Sequence, residues 1–156
     1  MKANRALQPL GRLVGTWRTL GKHPYFPGRT FHGRASFEWI ESGAFLVMRT
    51  RINETESGIP SGVAIFGTDD ADDACFMLYF DERGVARKYD VAIDEHGVTW
   101  TRDAPGFSQR FRVTLARDGR SMEGRGEMSK DGATWEKDLD LDYTRTQETS
   151  SSAFEP

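Results

Sequence analysis

Phe80-Asp81-Glu82-Arg83-Gly84-Val85-Ala86-Arg87-Lys88-Tyr89-Asp90-Val91-Ala92-Ile93-Asp94-Glu95-His96-Gly97-Val98-Thr99-Trp100 contains two turns and the whole strand between them. Asp81 to Gly84 and Asp94 to Gly97 each end on glycine, which takes positive φ at no steric cost, beside acids that bond their own backbone. Val85, Arg87, Tyr89, Val91 and Ile93 share one parity, and Lys88, Asp90 and Asp94 share the other. A period of two, with one dry row and one charged row, is the signature of a half-buried strand. Turns this short join only antiparallel neighbours, because a parallel crossover needs a much longer connection.

The same pattern extends in both directions. Glu41-Ser42-Gly43 separates a strand ending at Ile40 from one starting at Ala44, and Asp118-Gly119 and Lys130-Asp131-Gly132 follow two later strands. Phe31, Ala35, Phe37 and Trp39 form one apolar row; Val98, Trp100 and Arg102 form another. Phe107, Gln109, Phe111, Val113 and Leu115 follow, then Trp135, Leu139, Leu141 and Tyr143. Opposite them lie Arg110 and Arg112, and the acidic run Glu136, Asp138, Asp140 and Asp142, read as an exposed strand face. The spacing predicts about ten strands in a meander. Closing it into a barrel removes its edges. The expected fold is therefore all-β: a single closed antiparallel meander barrel with a short N-terminal helix. That short helix or helical turn lies in Ala3 to Leu13, from the spacing of Ala6, Leu7, Leu10, Leu13 and Val14, and is broken by Pro9 and Gly11. Val63 to Gly67 and Cys75 to Phe80 are apolar on both faces, so residues such as Phe66 and Phe76 are candidate contacts for a homodimer. The barrel is assigned to residues 1–145 and a disordered, Ser-rich tail to 146–156.

Composition narrows the function. The 156 residues fit one domain, with a core large enough to need neither disulfide nor metal. A net charge of −3 with interspersed signs offers no basic stripe, so no nucleic-acid partner is expected. Cys75 is alone, which rules out an intrachain disulfide and agrees with a reducing compartment. The first residues lack the apolar run of a signal peptide, and no stretch approaches the roughly 18 apolar residues of a membrane span. A cytoplasmic protein with no membrane partner is the expectation.

Leu13-Val14-Gly15-Thr16-Trp17 opens the first strand, and Tyr143-Thr144-Arg145 ends the last. The pair resembles the calycin signature, a Gly-x-Trp on the first strand and an Arg on the last. That resemblance implies that Trp17 plugs one end of the barrel while Arg145 stacks on it and bonds the N-terminal turn, with Gly15 as the signature glycine. The body from Leu10 to Arg145 is also similar to a family of lipocalin-like bacterial proteins. The similarity lies in Phe37-Glu38-Trp39-Ile40-Glu41-Ser42-Gly43, Tyr79-Phe80-Asp81 with Arg83-Gly84-Val85, Gly106-Phe107-Ser108-Gln109-Arg110-Phe111, and Ser129-Lys130-Asp131-Gly132 with Trp135-Glu136. It implies a fold and little about activity. The nitrobindin family, a more distant likeness, shares the Gly-x-Trp start and holds haem through a histidine on a late strand. Here the histidines are His23, His32 and His96, so haem is not expected, and no cofactor is assigned.

Polar residues in an apolar row point to a cavity, because burying them unpaired is costly. Arg87, Tyr89, Arg102 and Gln109 stand in such rows. Tyr89 and Gln109 would orient a ligand, and Arg87 or Arg102 would meet a carboxylate or phenolate. Trp39, Met48, Trp100 and Phe111 are expected to line the interior, whereas Trp17 and Trp135 are structural. No metal is expected. Asp69-Asp70-Ala71-Asp72-Asp73 lacks the alternation, glycine and closing glutamate of a calcium loop, and the histidines have no partners at zinc spacing. His32 shares the outward parity of Arg34 and Ser36. No nucleophile motif accompanies Cys75. Three functions fit these residues: a carrier or sensor of a small hydrophobic molecule, an enzyme using Tyr89 with Arg87 or Arg102, or an interaction module with a filled barrel.

Overall fold

The dry and charged rows sort themselves into the inside and outside of a closed barrel. In the computed structural model, which describes residues 3–54 and 58–146, the strands are β1 (Gly15–Lys22), β2 (Phe31–Ile40), β3 (Phe45–Ile52), β4 (Gly62–Thr68), β5 (Cys75–Asp81), β6 (Ala86–Ile93), β7 (Gly97–Arg102), β8 (Ser108–Leu115), β9 (Ser121–Ser129) and β10 (Glu136–Arg145). Each pairs antiparallel with the next, and β10 returns to β1 with Trp17 opposite Arg145. The segment assigned to a disordered tail lies, beyond Thr146, outside the described residues.

The N-terminal helix is a 3-10 helix, Arg5–Leu13, with the Asn4 side chain accepting from the Ala6 amide. Leu7, Leu10 and Leu13 are buried beneath it and seal one end of the barrel. Arg12 pins this cap to the β6–β7 turn by donating to the carbonyls of Asp94 and Glu95. The other end is ringed by the β1–β2 loop, the Gly58–Pro60 segment before β4, and the β5–β6, β7–β8 and β9–β10 connections.

Of the five turn glycines, Gly43, Gly84, Gly119 and Gly132 take positive φ, whereas Gly97 does not. Gly97 is extended at the start of β7, and a Cβ there would run into the Val113 carbonyl across the β7–β8 pair. The glycine serves a close backbone approach, not a turn conformation.

The outward rows carry Arg34, Arg49, Lys88, Asp90, Glu123 and Asp142, all exposed. Charge outside and apolar side chains inside is the reverse of a membrane-spanning barrel, and no described helix is long and apolar enough to cross a membrane. Phe66 is a correction to the sequence reading. It is wholly buried, edge-on to Trp100, and belongs to the interior row of β4. The outward residues of the two doubly apolar strands are Val63, Ile65, Phe76, Leu78 and Phe80, of which Phe80 is 42% exposed. His32 faces out, as its parity predicts, and is held by Glu54.

Candidate functional site

The barrel interior is not filled. A cavity of about 370 Å³ opens between the β1–β2 loop, the Gly58–Pro60 segment and the β5–β6 turn. Its walls come from inward residues of β3, β5, β6, β7, β8 and β10. Met48, Met77, Trp100, Phe111 and Leu141 make them apolar. Trp100 and Phe111 stack with centroids 5.0 Å apart and planes 19° from parallel, giving one flat aromatic wall. Phe111 can lie that way because β9 presents two glycines beneath it: a Cβ on Gly124 would sit 2.5 Å from the Phe111 ring, and one on Gly126 at 3.1 Å.

Near the mouth a connected set of polar groups crosses from β6 to β10. Gln109 is its hub. The Gln109 Oε1 accepts from the Tyr89 hydroxyl at 2.9 Å and from Arg87 Nη1 at 3.1 Å. Its amide reaches Asp138 Oδ2 at 3.4 Å, and Asp138 Oδ1 lies 2.8 Å from His23 Nε2. His23 Nδ1 accepts the Tyr25 amide, so Nε2 carries a proton and donates it toward Asp138. Arg87 lies over the Phe107 ring at 5.4 Å and spends one N–H on Gln109, so other guanidinium N–H groups can serve a further acceptor. Burial raises the Tyr89 phenol above its ordinary range, against the lowering effect of Arg87, so it stays a neutral hydrogen-bonding group.

Asp138 corrects a second expectation. The strict alternation from Glu136 to Asp142 predicts an exposed acid, yet its side chain is only 17% exposed and lines the cavity. The cause is a β-bulge. Lys137 pairs with Glu127 and Asp140 with Arg125, so Asp138 and Leu139 together oppose the single residue Gly126. The extra residue shifts the parity of β10 and turns one carboxylate inward.

Of the eight residues proposed to meet a ligand, Met48, Arg87, Tyr89, Trp100, Gln109 and Phe111 line this cavity, and Trp39 and Arg102 do not. β2 runs from the mouth to the sealed end, so Trp39, although inward, packs at the far end with its Cζ2 near Gly11 of the N-terminal helix. Arg102 ends β7 at the rim, opposite Gln109 in the ladder but outside the cavity lining. Trp135 lies outside the lining too, stacked against the Arg110 guanidinium at 4.0 Å. Sequence reasoning missed His23, Phe26, Tyr79 and Asp138. The nearest signal was Gly126, a strand glycine of the kind that accompanies bulges.

The sealed end has the geometry that the signature implies. Trp17 is fully buried and donates from Nε1 to the Leu13 carbonyl at 2.9 Å. The Arg145 guanidinium lies 4.1 Å from its ring centroid and donates to the carbonyls of Val14, Arg12 and Gly119. Gly15 has φ of 130°, and a Cβ there would meet Arg145 Nη1 at 2.5 Å.

At the rim, the buried Asp81 side chain accepts from the Tyr79 hydroxyl at 2.7 Å and from Arg83 Nη2 at 2.7 Å. Burial alone would raise its pKa, but the bonds from Arg83 and Tyr79 outweigh burial and hold it at about 2, below the ordinary 3.8. Its contribution to stability is thus present above the ordinary value and lost as pH falls toward the folded one. Asp81→Asn is expected to lose less stability than the native protein between roughly pH 6 and pH 3. Urea midpoints at the two pH values check this; parallel losses would contradict it. The Cys75 thiol is raised by burial, which keeps it protonated and a poor nucleophile. Among the described residues no group of His, Cys, Asp and Glu is placed to hold a metal ion.

Fold and site together define a closed antiparallel barrel with one sealed end and one lined, open interior. No family model and no curated protein matches the sequence. Among solved structures, Rv2717c from M. tuberculosis is similar with a TM-score of 0.61 at 15% identity, over 94% of this chain and 100% of its own. A de novo designed fluorescence-activating β-barrel is similar with a TM-score of 0.45 at 12% identity, over 87% of this chain and 95% of its own. The likeness to Rv2717c is one of fold.

Proposed function

We propose that this protein is a lipocalin-like member of the calycin group that encloses a small hydrophobic or amphipathic molecule, as a carrier or sensor in the cytoplasm. The observation that carries the reading is a cavity with apolar walls and a connected set of polar groups converging near its mouth. Apolar walls strip water from the ligand body, and Arg87, Tyr89 and Gln109 fix the orientation of its polar end. The volume falls within the range of small-molecule sites. A filled interaction module would have no such space. The neutral, hydrogen-bonded Tyr89 fits orientation better than proton abstraction, which weakens the enzyme reading.

Native mass spectrometry of protein purified from its own host, followed by denaturing extraction, tests the proposal. A stoichiometric small molecule is expected. Gln109→Leu removes the acceptor shared by Tyr89 and Arg87 while keeping the side-chain volume close, and is expected to weaken retention of that molecule at least about tenfold. Unchanged retention would remove the polar mouth from the reading. Turnover of the extracted molecule by native protein would replace the carrier with an enzyme.

A further inference from the structure

The floor of the cavity holds a polar group for which enclosure alone has no use. Tyr143 lies on β10 two residues deeper than Leu141, or about 7 Å further along the strand. It lines the cavity, is 2% exposed, and sets its ring edge-on to Trp17 with centroids 6.4 Å apart. Its hydroxyl has no hydrogen-bond partner among the described residues. Yet no described side-chain oxygen or nitrogen is sealed away without a partner. The hydroxyl therefore keeps contact with open space, and the open space beside this ring is the cavity.

Burial pushes the Tyr143 phenol well above its ordinary range, so it remains an O–H donor at neutral pH. The apolar lining residues Met48, Met77, Trp100, Phe111 and Leu141 offer no strong acceptor, and the buried Thr19, opposite Tyr143 in the β1–β10 pair, makes no hydrogen bond to it. A donor left facing apolar walls forfeits a bond that it makes in water, and a ligand oxygen restores that bond.

We propose that Tyr143 is a second recognition point, and that the ligand carries a carbonyl-type oxygen at its buried end as well as a polar group at the mouth. This rests on the reading of the barrel as an enclosing binder. Arg87 and Gln109 then hold one end, the Trp100–Phe111 wall supports the apolar middle, and Tyr143 reads the other end. A site built around a buried donor discriminates against a molecule that lacks the matching acceptor, because the donor is then left unpaired.

Isothermal titration calorimetry with two probes tests it: decanoate, and the fatty acid of the same chain length with a ketone at its penultimate carbon. Native protein is expected to bind the ketone acid about tenfold more tightly. In Tyr143→Phe, which keeps the ring and its contact with Trp17, that preference is expected to fall close to unity, with decanoate bound at least as tightly as by native protein because no donor is then left unpaired. Equal affinities in native protein, or a preference that survives the substitution, would overturn the role of Tyr143 and leave enclosure standing. Failure of native protein to bind either probe would overturn enclosure of amphipathic acids, and this inference with it. A thermal melt of the variant confirms that the barrel is intact.

Discussion

Trp17→Ala is expected to lower the free energy of unfolding by about 4 kcal/mol, read as a fall in the urea midpoint with an unchanged slope. Three losses combine. The indole is fully buried, so its removal exposes a cavity at the sealed end. The Leu13 carbonyl loses its donor, and Arg145 loses the face on which it lies. Since a domain of this size holds on the order of 5–15 kcal/mol in all, the variant should lose at least about a quarter of its stability. Arg145→Lys is the milder companion: it keeps the charge but loses the planar fork that reaches three carbonyls. A loss below about 1 kcal/mol for Trp17→Ala would mean that the leucines of the helix seal the barrel without it.

Gly124→Ala is expected to change the cavity before it changes the fold. The added methyl would meet the Phe111 ring at 2.5 Å and Tyr143 Cε1 at 3.1 Å. Behind it is the strand, so the ring must move inward, out of its stack on Trp100 and into the space a ligand would take. Overpacking of this kind costs about 1–3 kcal/mol. On the proposed carrier reading the larger consequence is for binding: retention of the enclosed molecule, read by mass spectrometry, should drop at least about tenfold. Full retention would show that Phe111 has another place to go and that the aromatic wall is not fixed by the glycines below it.

Parity and turn chemistry carried most of the architecture. The rows on β6 and β8 placed Arg87, Tyr89, Gln109 and Phe111 inside, because an alternating strand has only two faces and one of them was charged. Parity does not give depth. Trp39 shares the inward row of Phe37 but stands at the sealed end, since its level depends on which way β2 runs relative to the mouth. Nor does parity survive an inserted residue. Asp138 was hidden because the bulge opposite Gly126 can be located only once β9 and β10 are paired. His23 and Phe26 belong to a loop, where no periodicity marks the direction of a side chain. Gly97 shows the limit of turn reading: the residue type was right for a reason that lies on a neighbouring strand.

The join between the two ends of the chain has a consequence for how the molecule comes into being. Arg145 holds the Val14 carbonyl across 131 residues, and β1 finds one of its two neighbours only in β10. The hairpins from β2 to β9 can form in order as the chain is made, each from local contacts. Closure must wait for the last strand, so during synthesis β1 keeps an open edge and the sealed end lacks its clamp. The period of greatest exposure to aggregation therefore ends only when Arg145 is free to reach back, and mutations in β10 should show in soluble yield before they show in the melting of protein already folded.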